Sequence, residues 1–270
     1  MLISVGLGLA VGIILALTGA GGGILAVPLL IFGLGLSVGE AGPIGLLAVG
    51  IAAAVGAGLG LRAGTVRYKA ALLMAGSGIV LSPLGTWLAH RMDNRWLSAL
   101  FAVVLLFVAY RTFLKAQVQT QADTEDMQPA HDAAPQCIRD VGSGRFVWTT
   151  SCARTLALSG TVSGLLSGLL GVGGGFILVP ALQRFTDLTM QSVVATSLAV
   201  IALVSLSSVM SSAVTGHLNW TVAVPFCGGA LGGMMAGQLI ASRLGGPQLQ
   251  KGFAAVSALV AIGMMVKFVF

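Results

Sequence analysis

The chain has 270 residues, of which 56% are hydrophobic and only 8% charged. Soluble domains carry about 25% charged residues, so the composition excludes a soluble globular domain and predicts an all-α polytopic membrane protein. The net charge of +6 comes from basic residues flanking the apolar stretches, which is an orientation signal in such a protein and no argument for nucleic-acid binding.

The first apolar segment is Leu2–Leu36. No basic residues precede it and no Ala-x-Ala-like site in a polar flank follows, so it is expected to be retained and not cleaved as a signal peptide. Within it stands Thr18-Gly19-Ala20-Gly21-Gly22-Gly23, followed by Ile24-Leu25-Ala26-Val27-Pro28. Glycine orders at a high entropic cost, so this density should break a helix. In hydrocarbon a break is tolerated only where protein or a water-filled cavity covers the freed N–H and C=O groups. Three further segments, Ile44–Leu61, Ala70–Ala89 and Trp96–Phe113, complete a first transmembrane repeat over residues 1–115.

Residues 116–152 are polar and hold five of the eight acidic residues, Asp123, Glu125, Asp126, Asp132 and Asp140, with Pro129 and Pro135. They read as a flexible linker without a core of its own. Residues 153–270 then form a second transmembrane repeat: Thr155–Leu182, Val193–Thr215, Trp220–Ala241 and Leu249–Phe270. Its first segment carries Leu170-Gly171-Val172-Gly173-Gly174-Gly175-Phe176 and reaches Val179-Pro180.

The two glycine runs lie 152 residues apart, and the match continues without a gap. Residues 19–30 and 171–182 are identical at seven of twelve positions, Pro28 and Pro180 among them. Gly64 falls on Gly216, Gly85 on Gly237, Arg91 on Arg243 and Phe101 on Phe253. This reads as eight hydrophobic segments in two homologous four-segment halves, the arrangement of transporter internal repeats.

Two topologies fit. If the first segment of each half crosses fully, the halves are parallel, with nine Lys and Arg residues on the linker side and five opposite. If that segment enters and leaves on one side, the halves are inverted, with eleven on the linker side against Arg91, Arg95 and Lys267. The positive-inside rule favours the inverted arrangement with a cytoplasmic linker. Both breaks would then approach the midplane from opposite faces, where half-helix N-termini bind anions without a formal cation.

The candidate solute-binding groups are therefore the backbone of Gly19, Gly21, Gly22 and Gly23 and of Gly171, Gly173, Gly174 and Gly175. Thr196 and Ser197 could add hydroxyls, or could bond their own helix backbone as membrane-helix Ser and Thr commonly do. At the equivalent offset the first half has Ile44 and Gly45. Ser205, Ser207, Ser208, Ser211 and Ser212 read as packing residues, and Glu40 as an interfacial carboxylate in preference to a proton relay. No Asp, Glu, Lys or Arg lies deep in a span, which argues against a carboxylate-based cation pump. The glycine runs are not nucleotide loops, because no Lys-Ser or Lys-Thr follows and no strand precedes. Cys137, Cys152 and Cys227 are odd in number without ligand-like spacing, so no disulfide framework and no metal site is expected. No nucleophile or metal constellation suggests an enzyme, and no cofactor is implied.

At these residues the chain resembles the TauE/SafE family of membrane permeases, also called sulfite exporters. The resemblance is carried by Gly19-Ala20-Gly21-Gly22-Gly23 with Val27-Pro28, by Gly168-Leu169-Leu170-Gly171-Val172-Gly173-Gly174-Gly175 with Val179-Pro180, and by Ala195-Thr196-Ser197-Leu198. In the first half Pro43-Ile44-Gly45-Leu46-Leu47 stands where the family often repeats Thr-Ser-Leu. The resemblance implies transport of a small sulfur-containing anion, such as sulfite or an organosulfonate, across a bacterial inner membrane. The expected partners are that anion and the lipid bilayer. The rival expectations are a passive anion channel and a non-transporting membrane subunit.

Overall fold

The computed structural model describes residues 2–19, 21–122, 137, 149–214, 219–241 and 263, which contain nine α-helices and no β-sheet. They are α1 (Leu2–Thr18), α2 (Gly21–Leu34), α3 (Val38–Arg62), α4 (Tyr68–Arg91) and α5 (Asn94–Ala122), then α6 (Thr150–Leu170), α7 (Gly175–Phe185), α8 (Met190–Val214) and α9 (Trp220–Ala241). The expected segment Leu249–Phe270 lies outside the described residues, Gly263 apart. Helix α5 extends past residue 115 and α6 starts before residue 153, so helix reaches into both ends of the stretch read as linker.

Both glycine runs interrupt helix. Helix α1 stops at Thr18 and α2 starts at Gly21, while α6 stops at Leu170 and α7 starts at Gly175. The helix ends keep the sequence offset of 152: Val38 and Arg62 of α3 answer to Met190 and Val214 of α8, and Tyr68 of α4 answers to Trp220 of α9.

Val38–Arg62, Tyr68–Ala89, Met190–Ser211 and Trp220–Leu239 are each long and apolar enough to cross a membrane. Large apolar side chains, among them Val80, Phe107, Leu206 and Leu239, cover the outside of the molecule. Tyr68 and Trp87 are both exposed on α4. Nineteen residues of helix separate them by about 28 Å, close to the hydrocarbon thickness of roughly 30 Å that such residues flank. Arg91 stacks on the Trp87 ring at 4.2 Å, one turn further on.

Helices α3 and α8 form the centre. Each buries 56% of its most apolar stretch, against 39% for α4 and 44% for α9. They run antiparallel: Gly50 meets Ser205, Gly56 meets Leu198 and Gly60 meets Ala195. Around this pair the two parts of the chain interlock. Helix α1 packs on α9, and α6 packs on α4.

Glycine makes both outer contacts possible. Side chains at Gly8 and Gly12 would overlap the carbonyls of Phe226 and Ala230, and those at Gly229 and Gly233 would overlap the carbonyls of Val5 and Leu9. Residue numbers rise together along both helices, so α1 and α9 are parallel. The same pattern holds for Gly160 on Met74, Gly164 on Gly78 and Gly168 on Ser82, so α4 and α6 are parallel too. Backbone approach this close is the packing that small residues permit between membrane helices.

Helix α2 turns back along α1, because Gly22 lies on Leu15 and Val11 while Gly33 lies on Leu7. Helix α7 turns back along α6 in the same way. Gly174 lies on Ser163, and at the far end the N–H of Cys137 donates to the carbonyl of Phe185 at 3.0 Å. Cys137 is itself joined by a disulfide to Cys152 in the first turn of α6. This pairing corrects the expectation of no disulfide. Cysteine spacing does not reveal that Cys137 and Cys152 meet beside the end of α7.

Candidate functional site

The two hairpins, α1–α2 and α6–α7, enter the centre from opposite ends of α3. Gly19 packs on Val194 in the first turns of α8, and Gly171 packs on Gly42 in the first turns of α3. Between these points the breaks meet. A side chain on Gly23 would overlap the carbonyl oxygen of Val172 and approach the Val49 methyl at 3.6 Å. The Gly173 position faces the same Val49 methyl at 3.5 Å, with Ile201 at 3.3 Å and the Ser205 hydroxyl at 3.5 Å. Val49 lies halfway along α3 and Ile201 is its counterpart at the offset of 152.

The backbone of the second break is unusual. Gly171, Gly173 and Gly174 have φ of +71°, +78° and +65°, a region that side chains with a Cβ rarely adopt. Gly171 caps α6 by donating its N–H to the carbonyl of Ser167 at 3.0 Å, as glycine does at helix C-termini. Residues 171–176 are all buried. Yet among the described residues no acceptor takes the N–H groups of Val172, Gly173 or Gly174. Gly175 and Phe176 add the first, unpaired N–H groups of α7. Buried backbone donors are almost always paired, so a row of unpaired ones at a helix N-terminus is a ready anion site.

The remaining expected residues fall as follows. Gly19 donates to the carbonyl of Leu15 at 2.8 Å and shares φ +71° with Gly171. Gly21 begins α2, and Gly22 is set against α1. Ser197 joins the first break: its hydroxyl lies 2.8 Å from the carbonyl of Val194 and 3.3 Å from that of Gly19. Thr196 is directed elsewhere. Its oxygen accepts the backbone N–H of Arg67 at 3.1 Å, which holds the start of α4. The structure thus brings Gly23 and Gly173 together beside Val49, and sets Gly22 against α1 and Gly174 against α6. It sets Gly19 with Ser197 and gives Thr196 a contact to the start of α4.

Glu40 is exposed, and its carboxylate accepts the N–H and hydroxyl of Ser37 at 3.0 and 2.8 Å. It is a helix-capping group at the start of α3. No group of three or more His, Cys, Asp or Glu residues with metal-holding geometry occurs among the described residues.

Sequence reasoning placed Ser205 among packing residues. In the structure its hydroxyl is fully buried, faces Gly173 and has no partner. Leaving such a group unsatisfied costs about 1–3 kcal/mol. The chain carried no signal that singles it out. At the offset of 152 Ser205 answers to Ala53, but the other hydroxyls of α8, Thr196 and Ser197 among them, also answer to residues of α3 without one.

The family model described as sulfite exporter TauE/SafE matches residues 4–264. A probable membrane transporter protein of Xylella fastidiosa (strain Temecula1 / ATCC 700964) is 29% identical over 90% of this chain and 86% of its own length. The probable membrane transporter protein YunE of Bacillus subtilis (strain 168) is 27% identical over 88% of this chain and 87% of its own. No solved structure matches the chain significantly.

Proposed function

Since this chain belongs to the sulfite exporter TauE/SafE family and is a multi-pass membrane transporter, we propose that it is a secondary transporter of a small sulfur-containing oxyanion, such as sulfite or an organosulfonate, working by alternating access. The observation that carries the reading is the meeting of two buried helix breaks at the middle of α3, one of them with unpaired N–H groups. An oxyanion supplies the acceptors these groups lack, and α7 directs the positive end of its dipole at it. No formal cation is needed.

The antiparallel run of α3 and α8, which are equivalent at the offset of 152, supports an inverted two-fold relation between residues 1–115 and 153–270. Parallel repeats would make equivalent helices run the same way. With α1–α2 and α6–α7 as hairpins that return to their own side, the first half would cross three times, with α3, α4 and α5, and the apolar pattern of the sequence gives the second half the same number. Rocking of one half on the other would then open the breaks alternately to the two faces. The balance of eleven basic residues against three supports a cytoplasmic linker and a bacterial inner-membrane location. Gly19, Gly21, Gly22, Gly23, Gly171, Gly173, Gly174 and Gly175 line the site in this reading. Ser197 ties the first break to α8, and Thr196 ties α8 to α4.

Flux into proteoliposomes of purified protein, measured with sulfite, sulfate and methanesulfonate, tests the proposal. Saturable flux of at least one anion is expected. Correctly folded protein without anion-dependent flux overturns it, and flux that does not saturate, with single-channel current, indicates a channel instead.

A further inference from the structure

We propose that Ser205 is the side-chain donor that binds one oxygen of the transported anion, an assignment that rests on the oxyanion reading above. Buried serines on membrane helices commonly bond a carbonyl one turn back along their own helix. Neighbours of Ser205 do so: Ser197 donates to Val194 and Ser208 to Val204, at 2.8 and 3.2 Å. Ser163 bonds across to the carbonyl of Gly174 at 2.9 Å. Ser205 makes no such bond. Its hydroxyl is 3.5 Å from where a Gly173 side chain would begin, between the methyl groups of Val49 and Ile201. A buried donor without a partner thus faces Gly173, in the same break as the unpaired backbone N–H groups, and can give a hydrogen bond to an acceptor oxygen there.

The asymmetry of the molecule points the same way. Ser167, one turn before Gly171, is the other buried serine hydroxyl without a partner among the described residues. At the offset of 152 these two serines answer to Leu15 and Ala53. Both unpaired hydroxyls therefore flank the second break and neither flanks the first. Interhelical glue would leave them bonded to protein, whereas an anion with several oxygens satisfies them. The second break is thus the end of the site that takes the oxygens through side chains.

The test compares wild-type protein with Ser205→Ala, using whichever of sulfite, sulfate and methanesulfonate the wild type moves. The KM for flux should rise at least about tenfold, the loss expected for one hydrogen bond to a charged solute. Thermal unfolding in detergent supplies the second readout. Without anion the variant should unfold at the same or a higher temperature, because alanine removes an unsatisfied group, and the stabilisation produced by the anion should shrink. A wild type that transports, with a variant of unchanged KM and unchanged anion stabilisation, overturns the role of Ser205 alone. A wild type that moves none of the three anions overturns the reading on which it rests.

Discussion

Substituting Gly173 by alanine separates folding from transport. At φ +78° an alanine is held in the left-handed region, which costs an L-residue about 1–2 kcal/mol. Its methyl group would stand 3.3–3.5 Å from Ile201, Ser205 and Val49, all side-chain atoms that can shift slightly. Stability should therefore fall by about 1–2 kcal/mol, or roughly 2–8 °C in Tm. The same methyl would fill the space beside the Ser205 hydroxyl, where the anion is proposed to bind. Losing two hydrogen bonds to a charged solute, at about 1.5–3 kcal/mol each, reduces flux on the order of a hundredfold or more. Gly171→Ala is the contrast, because its methyl would overlap the backbone of Gly42 and displace α3, so its Tm should fall further. The assay pairs thermal unfolding in detergent with proteoliposome flux. A Gly173→Ala protein that unfolds a few degrees early yet transports like wild type would refute the reasoning.

Thr196→Val removes the acceptor for the Arg67 N–H, so Tm should drop by the equivalent of about 1–3 kcal/mol with KM unchanged; a raised KM at unchanged Tm would instead make Thr196 a solute ligand. Glu40→Gln keeps the reach of a capping group, and flux measured at pH 6 and pH 8 should match wild type, whereas loss of flux would restore Glu40 as a proton relay. In a background without native cysteines, Ser37→Cys and Thr189→Cys should react with an impermeant maleimide from opposite sides of the membrane. Reaction of both from one side contradicts the inverted arrangement. Cys137 and Cys152 are disulfide-bonded in the structure, so a cytoplasmic linker carries the expectation that the pair is recovered from cells as reduced thiols. A disulfide isolated from intact cells would reverse the orientation.

The breaks were legible because glycine density is a backbone property that the sequence states directly, and Thr18, Gly21, Leu170 and Gly175 mark helix ends where the runs stand. The offset of 152 was equally plain and reappears in the matched bounds of α3 and α8. Partner choice was hidden. Hydropathy does not say which helix faces which, and α1 packing on α9 depends on Gly8, Gly12, Gly229 and Gly233, whose four-residue spacing is the usual mark of close membrane-helix contact. Among so many glycines that spacing did not stand out. The directions of the hydroxyls were hidden for a related reason. Thr196 and Ser197 stand in a motif and both engage backbone groups, while Ser205, one of five serines read as packing residues, has a buried hydroxyl without a partner. Which way a hydroxyl points is set by tertiary packing, and one sequence does not contain it.

The most direct measurement is a structure determined with selenite, the heavier analogue of sulfite, located by its anomalous scattering. The account predicts a single strong peak between Gly23, Gly173 and Ser205, within hydrogen-bonding distance of the N–H groups that follow Gly171. A peak confined to the outer surface, or a site remote from both breaks, would contradict it.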